Sequence, residues 1–265
     1  MPQDNIADAS RPNAGRMYDY YLGGNHNFEV DRQAADQILT RAPYTRKYAR
    51  LQRWALQDIA VELCQNQNFE LIIDFASGLP TEDHIHYHAP NGTTIIYSDF
   101  DPITVEYAHD ILGDTLKVYY FEANANKPEL LLNNPKIKTL LDNSQKTAYV
   151  LWGVTTFLSD EEIKHITSYL YEISGPNSTL VFNAQTYNPD NPDVLKAVAL
   201  YKSMGTQLYP RRIESFNDLI KPWKIKGNKW TPLLEWHGFD ESALGQEKME
   251  AFGPMGGGHG AYLIK

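Results

Sequence analysis

Three short strand-like runs in this chain end on polar residues that suit one kind of ligand. Leu71-Ile72-Ile73 closes on Asp74, Thr93–Tyr97 closes on Ser98-Asp99, and Leu116–Phe121 closes on Glu122-Ala123-Asn124. The first stop continues into Phe75-Ala76-Ser77-Gly78-Leu79-Pro80-Thr81. Small residues such as Ala76 and Gly78 let a backbone approach a ligand closely. Pyrophosphate binding favours G-x-G-x-x-G, and Ala76 and Thr81 stand where two of those glycines would be. Asp74 repels a phosphate and attracts a cation. Asp99 stands 25 residues after Asp74 and can accept both hydroxyls of a ribose. Asn124 can read an adenine edge, with Phe100 and Ala123 beside these stops. Each residue alone could also cap a helix. As a set they point to S-adenosylmethionine, which carries an ammonium, a sulfonium, a ribose and an adenine.

Other side chains could take part in chemistry near such a ligand. Tyr18, Tyr20 and Tyr21 precede Gly23-Gly24 and the polar Asn25-His26-Asn27. Tyrosines give broad apolar surface with a polar tip, and paired glycines permit a tight bend. Residues 16–27 are too few for a core of their own, which predicts a lid that stays loose until a ligand draws it closed. Tyr18 and Gly23 would then face the cofactor. Tyr21 and His26 are the candidate catalytic residues, His26 because an imidazole titrates in the useful range for a base. Trp152 follows the fourth strand, where an acceptor would sit, and His86 begins a helix beside the ligand turn. Both are candidate pocket residues. Asp83-His84-Ile85-His86-Tyr87-His88 resembles a metal cluster, but helical spacing joins only His84 and His88 and no third ligand has a suitable spacing. No metal is expected.

These residues need elements to position them. Periodicity predicts two short helices within 16–40, a longer one over roughly 44–66, and then an alternation of strands and helices. The strands are the three runs above, Ala148–Trp152 and Thr179–Phe182. The helices fall near 81–89, 102–112, 127–141 and 160–173. Such alternation means a parallel sheet with right-handed crossovers, with ligand at the carboxyl ends of its strands. Helices near 193–204 and 213–220 follow, then a strand over Trp223–Lys226, a glycine-rich stretch ending at Gly260, and a last strand over Ala261–Ile264. Lys221–Trp230 interleaves lysines and aromatic residues, and strand alternation gives it an apolar face and a solvated lysine face. Arg46, Arg50 and Arg53 read as a solvated stripe on their helix.

Composition limits the partners. The chain has 265 residues and a net charge of −9, which argues against nucleic acid as the partner. The single cysteine, Cys64, cannot form an intrachain disulfide. No apolar run is long enough to span a membrane, and the N-terminus has no signal-peptide pattern. A cytoplasmic protein with a small-molecule acceptor is the expectation.

The sequence also resembles a family of bacterial S-adenosyl-L-methionine-dependent methyltransferases long known only as a domain of unknown function. The motifs that carry the resemblance are Arg16-Met17-Tyr18-Asp19-Tyr20-Tyr21-Leu22-Gly23-Gly24, Asn27-Phe28, Asp31-Arg32, Asp74 through Thr81 (the family's D-x-G-x-G-L-P-T), His86 and Asp99-Phe100-Asp101-Pro102. Ala76 stands where the family has glycine, Asn124 where it has Asp and His84 where it has Asn. The resemblance implies an α/β, Rossmann-like class I methyltransferase fold. Its mostly parallel seven-stranded sheet would carry an antiparallel C-terminal strand and an N-terminal helical arm. It implies a division into residues 1–68, an arm and helices forming a lid, and residues 69–265, the cofactor-binding domain. Two alternatives stay open at this point: a catalytically silent S-adenosylmethionine-binding protein, and a nicotinamide-dependent oxidoreductase.

Overall fold

The computed structural model describes residues 10–81, 84–90, 92–236, 238 and 258–265. Three helices come first: α1 (Ala14–Leu22), α2 (Glu29–Arg41) and α3 (Thr45–Val61), the last continuing as a wider turn through Asn66. Strands and helices then alternate: β1 (Leu71–Phe75), β2 (Thr94–Asp99), α4 (Pro102–Leu112), β3 (Val118–Glu122), α5 (Pro128–Leu132), α6 (Pro135–Asn143), β4 (Thr147–Leu151), α7 (Asp160–Ile173) and β5 (Thr179–Ala184). The rest comprises α8 (Pro192–Ser203), α9 (Phe216–Leu219), β6 (Lys224–Ile225), β7 (Thr231–Pro232), α10 (Leu233–Trp236) and β8 (His259–Ile264).

Local chemistry explains most of these boundaries. Proline occupies the first turn of α4, α5, α6 and α8, where its missing N–H costs nothing. Ser159 and Glu162 close a reciprocal cap on α7, and Asn191 caps α8. Of the helix expected over 81–89, the described residues form a short 3₁₀ turn, Ile85–His88, and residues 82 and 83 lie outside the described residues. The one expected over 127–141 is split into α5 and α6 by Asn133 and Asn134.

The sheet runs β3-β2-β1-β4-β5-β8-β6, with β7 also on β8. β1 to β5 are parallel, and β8 pairs antiparallel with β5, β6 and β7. Among the described residues the sheet thus has eight strands where seven were expected. The extra count comes from β6 and β7, two-residue pieces that both pair with β8. No helix among the described residues is long and apolar enough to cross a membrane.

Strand alternation divides the core between the two faces of the sheet. Ile73, Phe75, Tyr149 and Leu151 face α5, α7 and α9, whereas Ile72, Tyr97, Ala148 and Val150 face α3, α4 and α10. Leu51, Ala55, Ile59 and Leu63 form the stripe that seats α3 on the second face. Trp223 is buried while Lys224 and Lys226 are exposed, so the mixed lysine and aromatic segment belongs to the sheet and its solvated edge.

The arm packs into a core shared with its neighbours. Met17 and Tyr21 share a core with Ala34, Ala35, Ile38 and Ala49, and Leu200 and Tyr201 of α8, with Met204 just after it, pack against it. Arg16 is only 1% exposed. Its Nε donates to Asp31 Oδ2 at 2.8 Å and its Nη1 donates to Asp101 Oδ2 at 3.0 Å. The expected lid borrows its core from α2, α3 and α8.

Candidate active site

The order of the strands reverses between β1 and β4, and a crevice opens at the carboxyl ends of such a sheet. A cavity of about 660 Å³ lies there. Its floor is the turn after β1. Ala76 and Gly78 both have left-handed backbone, at φ 52° and φ 63°. The Tyr120 hydroxyl donates to Gly78 O at 2.7 Å, and Ser77 N donates to Ser98 O at 2.9 Å. These bonds impose on Ala76 a conformation that an L-residue with a Cβ adopts at a cost. Ala76→Gly is therefore expected to raise the melting temperature by roughly 3 °C, for a gain of about 1 kcal/mol. An unchanged melting temperature would show that the turn carries no strain.

Asp99 joins this turn to the next loop. Its Oδ2 accepts from Gly78 N at 3.2 Å and its Oδ1 from Asp101 N at 3.0 Å. Burial pushes the carboxyl up to about 6; the Asp101 N–H opposes this, the Asp101 carboxylate adds to it, and the Gly78 and Phe100 N–H groups oppose it. Phe100, next in the chain, leaves its ring 60% exposed at the cavity.

Asp74 also lines the cavity and is 2% exposed. Burial raises its pKa well above the usual carboxylate range, Arg53 opposes that shift, and Asp99 reinforces it. Arg53 departs from the solvated stripe expected on its helix. It is 5% exposed, lines the cavity, and lies 5.7 Å over the Tyr18 ring. Docking of α3 on the sheet turns this end of the expected solvated stripe inward, while Arg50 stays exposed.

The two histidines exchange places. His86 is not among the cavity-lining residues. Its N donates to the Tyr97 hydroxyl at 3.0 Å and its Nδ1 lies 3.1 Å from the same oxygen. Burial lowers its pKa to about 4. His84 lines the cavity instead. Its Nδ1 accepts from Ile85 N at 2.9 Å, so Nε2 carries the proton toward Ser77 O, 3.2 Å away. Nε2 is 3.8 Å from Asp74 Oδ2, and burial holds the ring neutral. A helix would have spaced these histidines differently from the 3₁₀ turn that forms. Asp83 lies outside the described residues, and the Tyr97 ring packs edge-on against both His84 and His86.

Three more expectations fall outside the cavity. His26 is not among its lining residues; its ring packs edge-on against Tyr107, centroids 5.3 Å apart, and its N donates to Asp19 Oδ2. Gly23 ends α1 in left-handed geometry at φ 92° and does not line the cavity either. Gly24 is held close beneath Asp19, where a Cβ would lie 2.0 Å from Oδ1. The Gly-Gly pair thus folds the chain and does not line the cavity. Ala123 uses its N–H on Asp99 O at 2.8 Å and is also absent from the lining.

Tyr18, Tyr21, Asn124 and Trp152 do line the cavity. Tyr18 donates to Ala49 O at 3.0 Å, and Trp152 Nε1 donates to Gln52 O at 3.0 Å. Asn124 Oδ1 accepts Asn126 N at 3.1 Å. Asn126 was missed in the sequence. Its Nδ2 donates to Glu162 Oε1, and its buried Oδ1 has no partner among the described residues. Gln52 was missed as well: it donates to Asn183 Oδ1 at 2.9 Å and lines the cavity where α3 crosses the sheet edge. Most of the glycine-rich stretch before β8 lies outside the described residues, and Gly258 lines the cavity.

The sequence profile of S-adenosyl methyltransferases matches residues 2–258. This chain belongs to that family. Membership makes it an S-adenosyl-L-methionine-dependent methyltransferase and sets aside the nicotinamide oxidoreductase alternative. The methyltransferase fold agrees with solved structures. A candidate methyltransferase from Thermobifida fusca YX is 23% identical over 98% of this chain and 97% of its own, with a TM-score of 0.84. A DUF574 family protein from Streptomyces avermitilis MA-4680 is 21% identical over 98% and 99%, also with a TM-score of 0.84. Magnesium protoporphyrin IX methyltransferase from Synechocystis PCC 6803, with bound S-adenosylhomocysteine, is 12% identical over 83% and 89%, with a TM-score of 0.50. No curated protein matches the chain.

The raised pKa of Asp99 gives this methyltransferase an expected pH signature. Were Asp99 to meet the cofactor ribose, as proposed below, the donating hydroxyls would select the carboxylate and binding would displace a proton below a pH of about 6. S-adenosylhomocysteine affinity is expected to fall up to about tenfold per pH unit below that point and to level off above it. The sign for folding is opposite. A carboxyl whose folded pKa is raised contributes stability at low pH that is lost as pH rises through about 6. Calorimetric titrations from pH 5 to 8 check the first statement; a flat profile would detach Asp99 from the ligand.

Proposed function

We propose that this methyltransferase transfers its methyl group to a small-molecule acceptor held in the same cavity as the cofactor. The observation that supports this most directly is the continuity of the cavity. It runs from Asp74 and Asp99 at the strand ends to Tyr201 on α8, and its volume lies within the range of small-molecule sites.

The residues suit the cofactor. In this reading Asp74 faces its ammonium, Arg53 its carboxylate and Asp99 its ribose. Phe100 presents an exposed ring to the adenine, and Asn126 Oδ1 is a buried acceptor open to the amino group of that base. When bound, S-adenosylmethionine supplies a methyl group on a sulfonium; the acceptor's lone pair forms the new bond to carbon, and the carbon–sulfur pair stays on sulfur. The protein's part is to align the two ligands and exclude water. Residues 1–68 would then supply the cover, with Tyr18 and Tyr21 at the acceptor, and residues 69–265 the cofactor-binding part. His26 and His86 have no role in this reading.

Calorimetry is expected to show S-adenosylhomocysteine binding in the micromolar range, about −8 kcal/mol. No heat with either S-adenosylmethionine or its demethylated product, on folded protein, would overturn the assignment of the cavity.

A further inference from the structure

The cavity beyond the strand ends is walled by rings brought together from five segments. Tyr21 comes from α1, Tyr44 and Tyr48 from α3 and the residue before it, Phe157 from the turn after β4, Tyr187 from the segment after β5, and Tyr201 from α8. Tyr44, Tyr48, Phe157, Tyr187 and Tyr201 are only half-buried, and all line the cavity. Phe157 and Tyr201 meet at 6.1 Å between centroids. The charged side chains Arg41 and Asp193 that also line this end are exposed, which places them at its mouth. Apolar ring faces of this kind favour a flat aromatic guest over a saturated one of equal size.

The same walls have polar tips of one kind. Burial raises the pKa of Tyr21, Tyr48 and Tyr187, and that of Tyr201 to about 12, so at neutral pH these phenols remain protonated and can donate. Tyr48 already accepts from Gln52 Nε2 at 3.1 Å, which orients its own hydroxyl hydrogen elsewhere. A site made of neutral hydroxyl donors accommodates an anionic oxygen. Among the described lining residues, the proton acceptors outside the cofactor reading are already engaged: His84 Nδ1 accepts from Ile85 N, Glu162 from Ser159 N and Asn126 Nδ2, and Asp193 from Lys196 Nζ at the exposed mouth, while His26 and His86 do not line the cavity. The positive sulfonium of the methyl donor would add to the attraction for an anion.

We propose that the acceptor is a flat aromatic phenol that is methylated on oxygen after ionising by itself. This rests on the cofactor reading above. The phenol's proton leaves to solvent before transfer. The phenolate oxygen then bonds to the methyl carbon as the carbon–sulfur bond breaks, leaving an aryl methyl ether and a neutral thioether.

The test uses the full-length protein and two kinds of readout. First, S-adenosylhomocysteine is titrated alone, so that a failed cofactor site is recognised separately. Next, 4-nitrophenol and cyclohexanol are titrated into the protein with and without S-adenosylhomocysteine. The phenol is expected to bind about tenfold more tightly than the alcohol. Tyr187→Leu is expected to weaken the phenol about fivefold while leaving S-adenosylhomocysteine affinity unchanged. Finally, S-adenosylmethionine is added with phenols of different acidity, and methyl ether formation is followed against pH. Each rate should rise through the ionisation of that phenol. Equal binding of cyclohexanol, or no binding of 4-nitrophenol, overturns the aromatic class. One pH midpoint shared by every phenol, or bound phenols that are never methylated, overturns transfer to a self-ionised oxygen.

Discussion

Arg16→Met is expected to cost about 3–5 kcal/mol of stability and to lower the melting temperature by roughly 10 °C. Arg16 is fully enclosed, and its guanidinium is shared between Asp31, which is 0% exposed, and Asp101, which is 8% exposed. Removing it leaves two buried carboxylates facing each other without a cation, and that penalty outweighs whatever the pair contributes net. Asp31 also holds the entry to α1 and α2, accepting from Asn13 N at 2.8 Å and Phe28 N at 2.9 Å. Asp101 holds Asp99 through its own N–H. The loss should therefore reach the cofactor: S-adenosylhomocysteine affinity is expected to fall although Arg16 does not line the cavity. Thermal melts and calorimetry on the same preparation check both halves. A melting temperature within a degree or two of the parent would show that the bridge contributes little.

Asp99→Ala is expected to do the reverse, weakening S-adenosylhomocysteine by about 1.5–3 kcal/mol while moving the melting temperature by only a few degrees. In the proposed reading the affinity loss follows from charge-assisted bonds to the ribose. The small stability effect follows from opposing terms. Ala removes two acceptors, for Gly78 N and Asp101 N, and also removes a carboxyl whose raised pKa records an unfavourable burial of charge. Wild-type affinity in this variant would move the ribose away from β2. Comparing the two variants separates their roles, because in the proposed reading Asp99 meets the ribose, whereas Arg16 acts through the residues that it ties together, Asp101, Asp31 and Arg11.

Much of the scaffold was legible because it depends on near neighbours. The run Leu71-Ile72-Ile73, the proline before Ile103, the Asn before Pro192 and the Gly23-Gly24 bend each announce an element by local geometry, and each element is found. Asp74 and Asp99 were legible for the same reason: a polar residue that ends a buried parallel strand must emerge at the carboxyl edge of the sheet. Residues 81–89 were not, because two neutral histidines sharing the Tyr97 hydroxyl favour a 3₁₀ turn that no periodicity announces.

The amino-acid sequence by itself therefore determined the alternating parallel sheet, the strand-end acids and the methyltransferase resemblance, since period, caps and turn residues act over a few positions. Only the tertiary structure decided that Arg53 faces Asp74 rather than water, that Arg16 ties the arm to Asp101, that His84 and not His86 lines the cavity, and that six rings from five segments wall its far end. Those outcomes depend on which face of α3 meets the sheet and where α8 closes over α1. Both are long-range packing solutions, in which burial of distant apolar stripes overrides what a charged or polar side chain would do on an isolated helix.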